Sequence, residues 1–138
     1  MLDEGDYHLK INLILMSSPF GRRVHPLTGR NTQHKGVDFA AKPGSDVVAV
    51  AAGVVSFSGI KSGYGHVVEI SHADGYTTLY AHNKKNLVAI GDLVQRGQTI
   101  AAVGRSGRAS GYHVHFEVTK NGRLVNPASY IARVDDVE

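Results

Sequence analysis

The chain has no cysteine. That removes disulfides, thiolate metal sites and cysteine nucleophiles together, and it leaves the redox compartment open. Charge is thin: the formal net value is +3, and the lysines and arginines are scattered. No dense basic run of the kind that binds nucleic acid is present. Long apolar runs are missing too. Leu13 to Met16 is far too short to cross a membrane. No basic-then-apolar leader follows Met1. The acidic start, Met1-Leu2-Asp3-Glu4, reads as the end of a linker, so any export signal is expected outside this chain. Stretches of alanine, leucine, glutamate and lysine are also lacking, which argues against a helical bundle.

What is there suits one compact domain. The chain has 138 residues and 16 glycines, and the glycines recur at turn-like intervals. Short apolar runs fall between them, which indicates an all-β domain. Residues 1–16 are expected to be a tail with one edge strand, in which Tyr7, Leu9, Ile11, Leu13 and Leu15 share a face. Residues 17–33 read as a long polar loop, and 34–40 as a short strand. Val47 to Phe57 is strongly apolar with a bend at Gly53, and Ser58 to Gly65 is a glycine-rich loop. A hairpin is expected from His66–His72 and Tyr76–His82 around Ala73-Asp74-Gly75, followed by a polar connection at Asn83 to Asn86. Gly91-Asp92 and Arg96-Gly97 mark turns between short strands, and Gly104 to Gly111 forms a second glycine-rich loop. Asn126-Pro127 leads to a short helical or irregular end, and residues 132–138 to an acidic tail.

Histidine is generous, at eight residues. Two stand in Gly111-Tyr112-His113-Val114-His115-Phe116-Glu117-Val118. The alternation is that of a strand, so His113, His115 and Glu117 leave one face and Val114, Phe116 and Val118 the other. In His34-Lys35-Gly36-Val37-Asp38 a spacing of four also puts His34 and Asp38 on one face. His82 closes the strand that contains Tyr80, which shares its face and is expected to line the same cleft. Without cysteine, any metal must be held by imidazole and carboxylate. His34, Asp38 and one histidine of the 113/115 pair would make the three-ligand set of a hydrolytic zinc ion. The other histidine of the pair and His82 would stand beside the water, one moving its proton and the other stabilising an oxyanion. The H-E-x-x-H signature is absent, so no glutamate base is assumed.

The remaining histidines do less. His72 precedes a hairpin turn and is taken as structural. His25 and His66 are expected to be solvated in loops, and His8 carries no role. Glu117 is either a partner that fixes an imidazole tautomer or a solvated strand residue. Gly104 to Gly111 lacks the phosphate-loop pattern and is expected to wall a substrate cleft.

In order, Ser18-Pro19-Phe20-Gly21-Arg22-Arg23, His25-Pro26, His34-Lys35-Gly36-Val37-Asp38-Phe39, Gly75-Tyr76-Thr77-Thr78-Leu79-Tyr80-Ala81-His82 and His113-Val114-His115-Phe116-Glu117 resemble the lysostaphin/LytM-type zinc endopeptidases. The resemblance runs from about residue 17 to 131. It implies an antiparallel half-barrel sheet with long loops forming a cleft, and a zinc ion held by His34, Asp38 and His115. His82 and His113 match the catalytic histidines. The implied substrate is a peptidoglycan cross-link, cut in the cell envelope or periplasm. The Ser-Pro-Phe-Gly-Arg-Arg loop and the Tyr80-Ala81-His82-Asn83 string look more like the Gram-negative envelope members, which cut between D-alanine and diaminopimelate. Some relatives have lost zinc ligands and only activate other wall hydrolases; all five positions are intact here. Asn83 and Val114 stand where leucine is common. A competing resemblance, to biotinyl and lipoyl carrier domains, rests on Val47 to Val55 and Gly91 to Val103, but the Ala73-Asp74-Gly75 tip carries no lysine.

Overall fold

The computed structural model describes residues 15–18, 21–24, 31–107 and 111–127, with side chains from Lys35 onward. Twelve strands appear among them. They are β1 (Leu15–Ser18), β2 (Gly21–Val24), β3 (Asn31–His34), β4 (Val37–Ala40), β5 (Asp46–Val48) and β6 (Gly53–Lys61). Then follow β7 (Gly65–Ser71), β8 (Tyr76–Asn86), β9 (Leu93–Val94), β10 (Thr99–Val103), β11 (His113–Lys120) and β12 (Arg123–Val125). One antiparallel sheet runs β1-β4-β11-β8-β7-β6-β9 and does not close; β10 joins β8 to β5, and β12 pairs with β11. The strands β2 and β3 form a separate hairpin. Among the described residues the one helical turn is Ala73–Gly75, and no helix is long and apolar enough to cross a membrane.

The alternation read from the sequence sorts the two faces of this sheet. Val37 and Phe39 of β4, Val68 and Ile70 of β7, Tyr80 of β8, and Val114, Phe116 and Val118 of β11 enter the main core. Their β-branched and aromatic side chains suit a pleated, buried surface. Residues one step out of phase, Val67, Leu79 and Ala81, form a small apolar cluster of their own with Phe57 and Tyr64 packed on it. His115 and Glu117 belong to that second phase.

Several boundaries differ from expectation. The polar loop expected over 17–33 contains the end of β1 and the β2–β3 hairpin; Arg22, Arg23, Thr32 and Gln33 give no apolar alternation to betray it. Residues 1–14, the tail and most of the expected edge strand, lie outside the described residues, as do 128–138. The glycine-rich stretch from Ser58 is strand as far as Lys61, paired to β7. Asn83 to Asn86 continues β8 rather than connecting, because β10 takes up its backbone through Ala101 opposite Asn86 and Val103 opposite Asn83. Lys84 and Lys85 therefore lie in a strand, not at a hairpin tip where a carrier would present its lysine.

Tyr80 does not line a cleft. It is fully buried, its ring tilted against Phe116, and its hydroxyl accepts the Val50 N–H at 3.1 Å. The Thr78 hydroxyl lies 2.9 Å from it, and Thr78 Oγ1 in turn meets His72 Nε2 at 2.7 Å. His72 Nδ1 lies 2.7 Å from the Ala52 carbonyl, so this histidine ties the entry of β6 to β8. The structural role expected for it stands.

Burial lowers the His72 pKa below 6.5, partly offset by the Ala52 carbonyl. A histidine lowered in the fold binds its proton more weakly there than in the unfolded chain. Its contribution is therefore present above pH 6.5 and is lost as pH falls through the folded value. Denaturant unfolding at pH 7 and pH 5 is expected to show a smaller drop in stability for His72→Gln than for the parent chain. Equal drops would refute this.

Candidate metal centre and active site

The pairing of β4 with β11 sets His115 opposite Asp38. Cross-strand neighbours on one face stand close enough for their side chains to meet. His115 Nδ1 lies 2.7 Å from Asp38 Oδ1, and His113 Nε2 lies 3.9 Å from the same oxygen. On its other side β11 pairs with β8, which places Ala81 opposite His115 and delivers His82 to the group.

His82 reaches this face through an irregularity. Strict alternation from Tyr80 would send it into the core. Instead, His66 pairs with Asn83 while Val68 pairs with Tyr80, so β8 carries one extra residue there. His82 itself has φ 63°, a left-handed backbone that histidine seldom adopts. The bulge turns its ring to within 5.2 Å of His113 and 6.0 Å of His115, between centroids.

Two short loops hold that strained residue. The His82 N–H donates to the Tyr64 carbonyl at 2.9 Å, and His82 Nδ1 lies 2.6 Å from the Ser106 carbonyl. A carbonyl only accepts, so the proton of neutral His82 sits on Nδ1 and Nε2 is left as the acceptor. The Ser106 hydroxyl donates to the Asn83 carbonyl at 2.6 Å and receives the His66 N–H at 3.0 Å. Gly65 and Gly107 touch here, and a Cβ on either would strike the other's loop. Both also have positive φ, 69° and 75°, so glycine is needed twice over. His66 is thus the second residue of β7 and half-buried, not a solvated loop histidine.

Glu117 is buried and hydrogen-bonded to His115, so it is not a solvated strand residue. Its Oε2 lies 2.8 Å from His115 Nε2 and accepts the Tyr64 hydroxyl at 2.7 Å. Burial lowers the His115 pKa, but the hydrogen bonds to Asp38 and Glu117 outweigh it and raise the value to about 9. Burial also lowers His82, helped by the neighbouring His113 and His115 and opposed by the Ser106 carbonyl and Asp38. His82 is therefore neutral at pH 7. Tyr64 is pushed well above the ordinary phenol value by burial and by Glu117, so it remains a donor.

Asp38, His82, His113 and His115 are thus brought together. His34 ends β3, opposite Gly21, and its side chain lies outside the described residues, as does His25. Sequence reasoning missed Tyr64 and Ser106; a Gly-Tyr-Gly turn and a lone serine carry no chemical pattern of their own. Asp38 Oδ1 and His115 Nδ1 face each other as a hard oxygen and an imidazole nitrogen without sulfur. That donor chemistry fits a divalent ion such as zinc.

A family model described as Peptidase family M23 matches residues 32–127. The chain belongs to peptidase family M23. This M23 chain is 47% identical over 114 residues to the DD-carboxypeptidase/endopeptidase Mpg of Neisseria meningitidis, covering 83% of this chain and 26% of that protein. It is 41% identical over 113 residues to the peptidoglycan DD-endopeptidase ShyC of Vibrio cholerae, covering 81% and 26%. Among solved structures, a zinc-containing peptidase from Vibrio cholerae superposes with a TM-score of 0.84 at 36% identity, covering 94% of this chain and 40% of that one. The M23 chain therefore spans about a quarter of the length of these two sequence relatives. The family expected from the motifs is the family found, and the carrier-domain reading falls.

Proposed function

We propose that residues 17–131 form a zinc-dependent endopeptidase domain that hydrolyses peptide cross-links of bacterial peptidoglycan, with D-alanyl-diaminopimelate bonds as the substrate. The observation that carries this is the meeting of Asp38 Oδ1 and His115 Nδ1 at 2.7 Å, with the rings of His82 and His113 beside them. The named activities of Mpg and ShyC support the substrate class, and the zinc-containing relative supports the metal. Such a substrate places the domain in the periplasm or cell envelope.

His34, Asp38 and His115 would hold the ion. When bound it would acidify a water and polarise the scissile carbonyl. The chain's own residues do the rest. Neutral His82, its Nδ1 proton tied to Ser106, offers Nε2 to take a proton from the attacking water and hand it to the leaving amine. His113 stands across from it to donate a hydrogen bond to the developing oxyanion. A groove of about 310 Å³ is lined by Ile60, Lys61, Gly63, His66, Ser106 and Gly107, residues that include part of the loops holding His82.

The test offers dimeric diaminopimelate muropeptides and pentaglycine in parallel to the purified protein. Cleavage of the muropeptide, stopped by a chelator and restored by zinc, is expected. Preference for pentaglycine would overturn the assigned bond. A protein that neither binds zinc nor cleaves would instead be an activator of other wall hydrolases.

A further inference from the structure

The Tyr64–Glu117 pair plays no direct part in that mechanism, yet it touches both kinds of histidine in the site. Tyr64 sits on the turn between β6 and β7, its ring packed on the Val67, Leu79 and Ala81 cluster and 5.7 Å from the His115 ring. Its hydroxyl and His115 Nε2 meet the same oxygen, Glu117 Oε2, at 2.7 and 2.8 Å. Its backbone carbonyl holds the His82 N–H at 2.9 Å.

The consequence follows from donor and acceptor counting. A neutral imidazole has one N–H, and only its other nitrogen can bind a cation. Both His115 nitrogens face a carboxylate, Asp38 at Nδ1 and Glu117 at Nε2; an ion held by Asp38 would displace the Nδ1 proton, and Glu117 would keep the remaining proton on Nε2. A buried carboxylate needs donors of its own, and the Tyr64 hydroxyl supplies one. The phenol thereby fixes where Oε2 sits, and so how the His115 ring is turned.

We propose that Tyr64 and Glu117 act as one positioning relay, in which the tyrosine orients the glutamate and the glutamate presets His115 Nδ1 for the metal ion, while the same tyrosine's carbonyl holds His82 in register with it. This rests on the reading of His115 as a metal ligand. Tyr64 and Glu117 are positioning residues, acting through His115 and His82.

The experiment measures zinc affinity of the metal-stripped protein by chelator competition, and the absorption spectrum of the cobalt form. It compares the parent chain with Tyr64→Phe, Glu117→Ala, Glu117→Gln and the Tyr64→Phe/Glu117→Ala double variant. Glu117→Ala is expected to weaken zinc binding roughly 10–100-fold, the usual cost of losing a ligand's hydrogen-bond partner. Glu117→Gln should weaken it by a smaller factor, because a carboxamide oxygen can still accept from Tyr64 and Nε2 but carries no charge to hold the Nε2 proton. Tyr64→Phe should weaken it by a smaller factor and shift the cobalt spectrum. The double variant should bind no worse than Glu117→Ala alone, since the two residues act in series. Parent-like affinity and spectrum in Tyr64→Phe and Glu117→Gln would overturn the relay, as would additive losses in the double variant. Should Glu117→Ala fail to fold, the two isosteric variants decide. Absence of zinc binding by the parent chain would remove the metal reading itself and the relay with it; normal binding and cleavage in parent and variants alike would remove the relay only.

Discussion

Replacing Asp38 with alanine is expected to strip the zinc and to lower muropeptide cleavage by at least about 10³-fold, while the sheet stays folded. The factor reflects what the ion would supply: it would lower the pKa of its bound water to about 7. Asp38 would be the anionic member of the ligand set, and its Oδ1 is the atom that both His115 and His113 approach. Its side chain lies on the face away from the main core, while its neighbours Val37 and Phe39 carry the packing. The backbone pairing of Asp38 with His115 and Ser18 is untouched by the substitution. Metal analysis and muropeptide chromatography on the same preparation check both halves. An Asp38→Ala protein that kept stoichiometric zinc would contradict the ligand assignment.

How far the site was legible follows from which contacts are local. The phase of β11 was readable because Val114, Phe116 and Val118 alternate with His113, His115 and Glu117, and successive side chains of a strand leave opposite faces. That His115 faces Asp38 is a matter of register between strands 77 residues apart. Spacing put each residue on a face; only the paired order of motifs suggested that the faces coincide. The bulge was hidden. Tyr80 and His82 are two apart, so alternation put them together, and nothing between them announces an extra residue. The actual outcome depends on Tyr64 and Ser106, which come from loops and hold His82 by backbone carbonyls that any residue possesses. Backbone acceptors leave no trace in a sequence. The β2–β3 hairpin escaped for a related reason: its sequence is almost all polar, so no apolar alternation marks it.

Substituting His82 by alanine tests the other half of the site. Cleavage is expected to fall by about 10²–10⁴-fold, the usual worth of a positioned acid–base group, with zinc content and zinc affinity unchanged. The separation from Asp38→Ala is the point: one variant loses metal and activity together, the other loses activity alone. His82 suits the role for reasons of the fold. The bulge and its left-handed φ of 63° bring the ring beside His113 and His115, and the Ser106 carbonyl fixes its tautomer with Nε2 as acceptor. Burial keeps it neutral above pH 6.5, so the base is ready at neutral pH and is lost as acid protonates it. The strain also bears on the outcome. A non-glycine residue with positive φ costs on the order of 1–3 kcal/mol, and here the Tyr64 and Ser106 contacts offset it. Alanine keeps the N–H bond to Tyr64 but loses the one to Ser106, so His82→Ala should fold and be slightly less stable. His82→Gly relaxes the backbone, and should be at least as stable as His82→Ala and equally inactive. Activity retained in both variants, measured on zinc-loaded protein against dimeric muropeptide, would show that the proton is moved by another group, with His113 the next residue to replace.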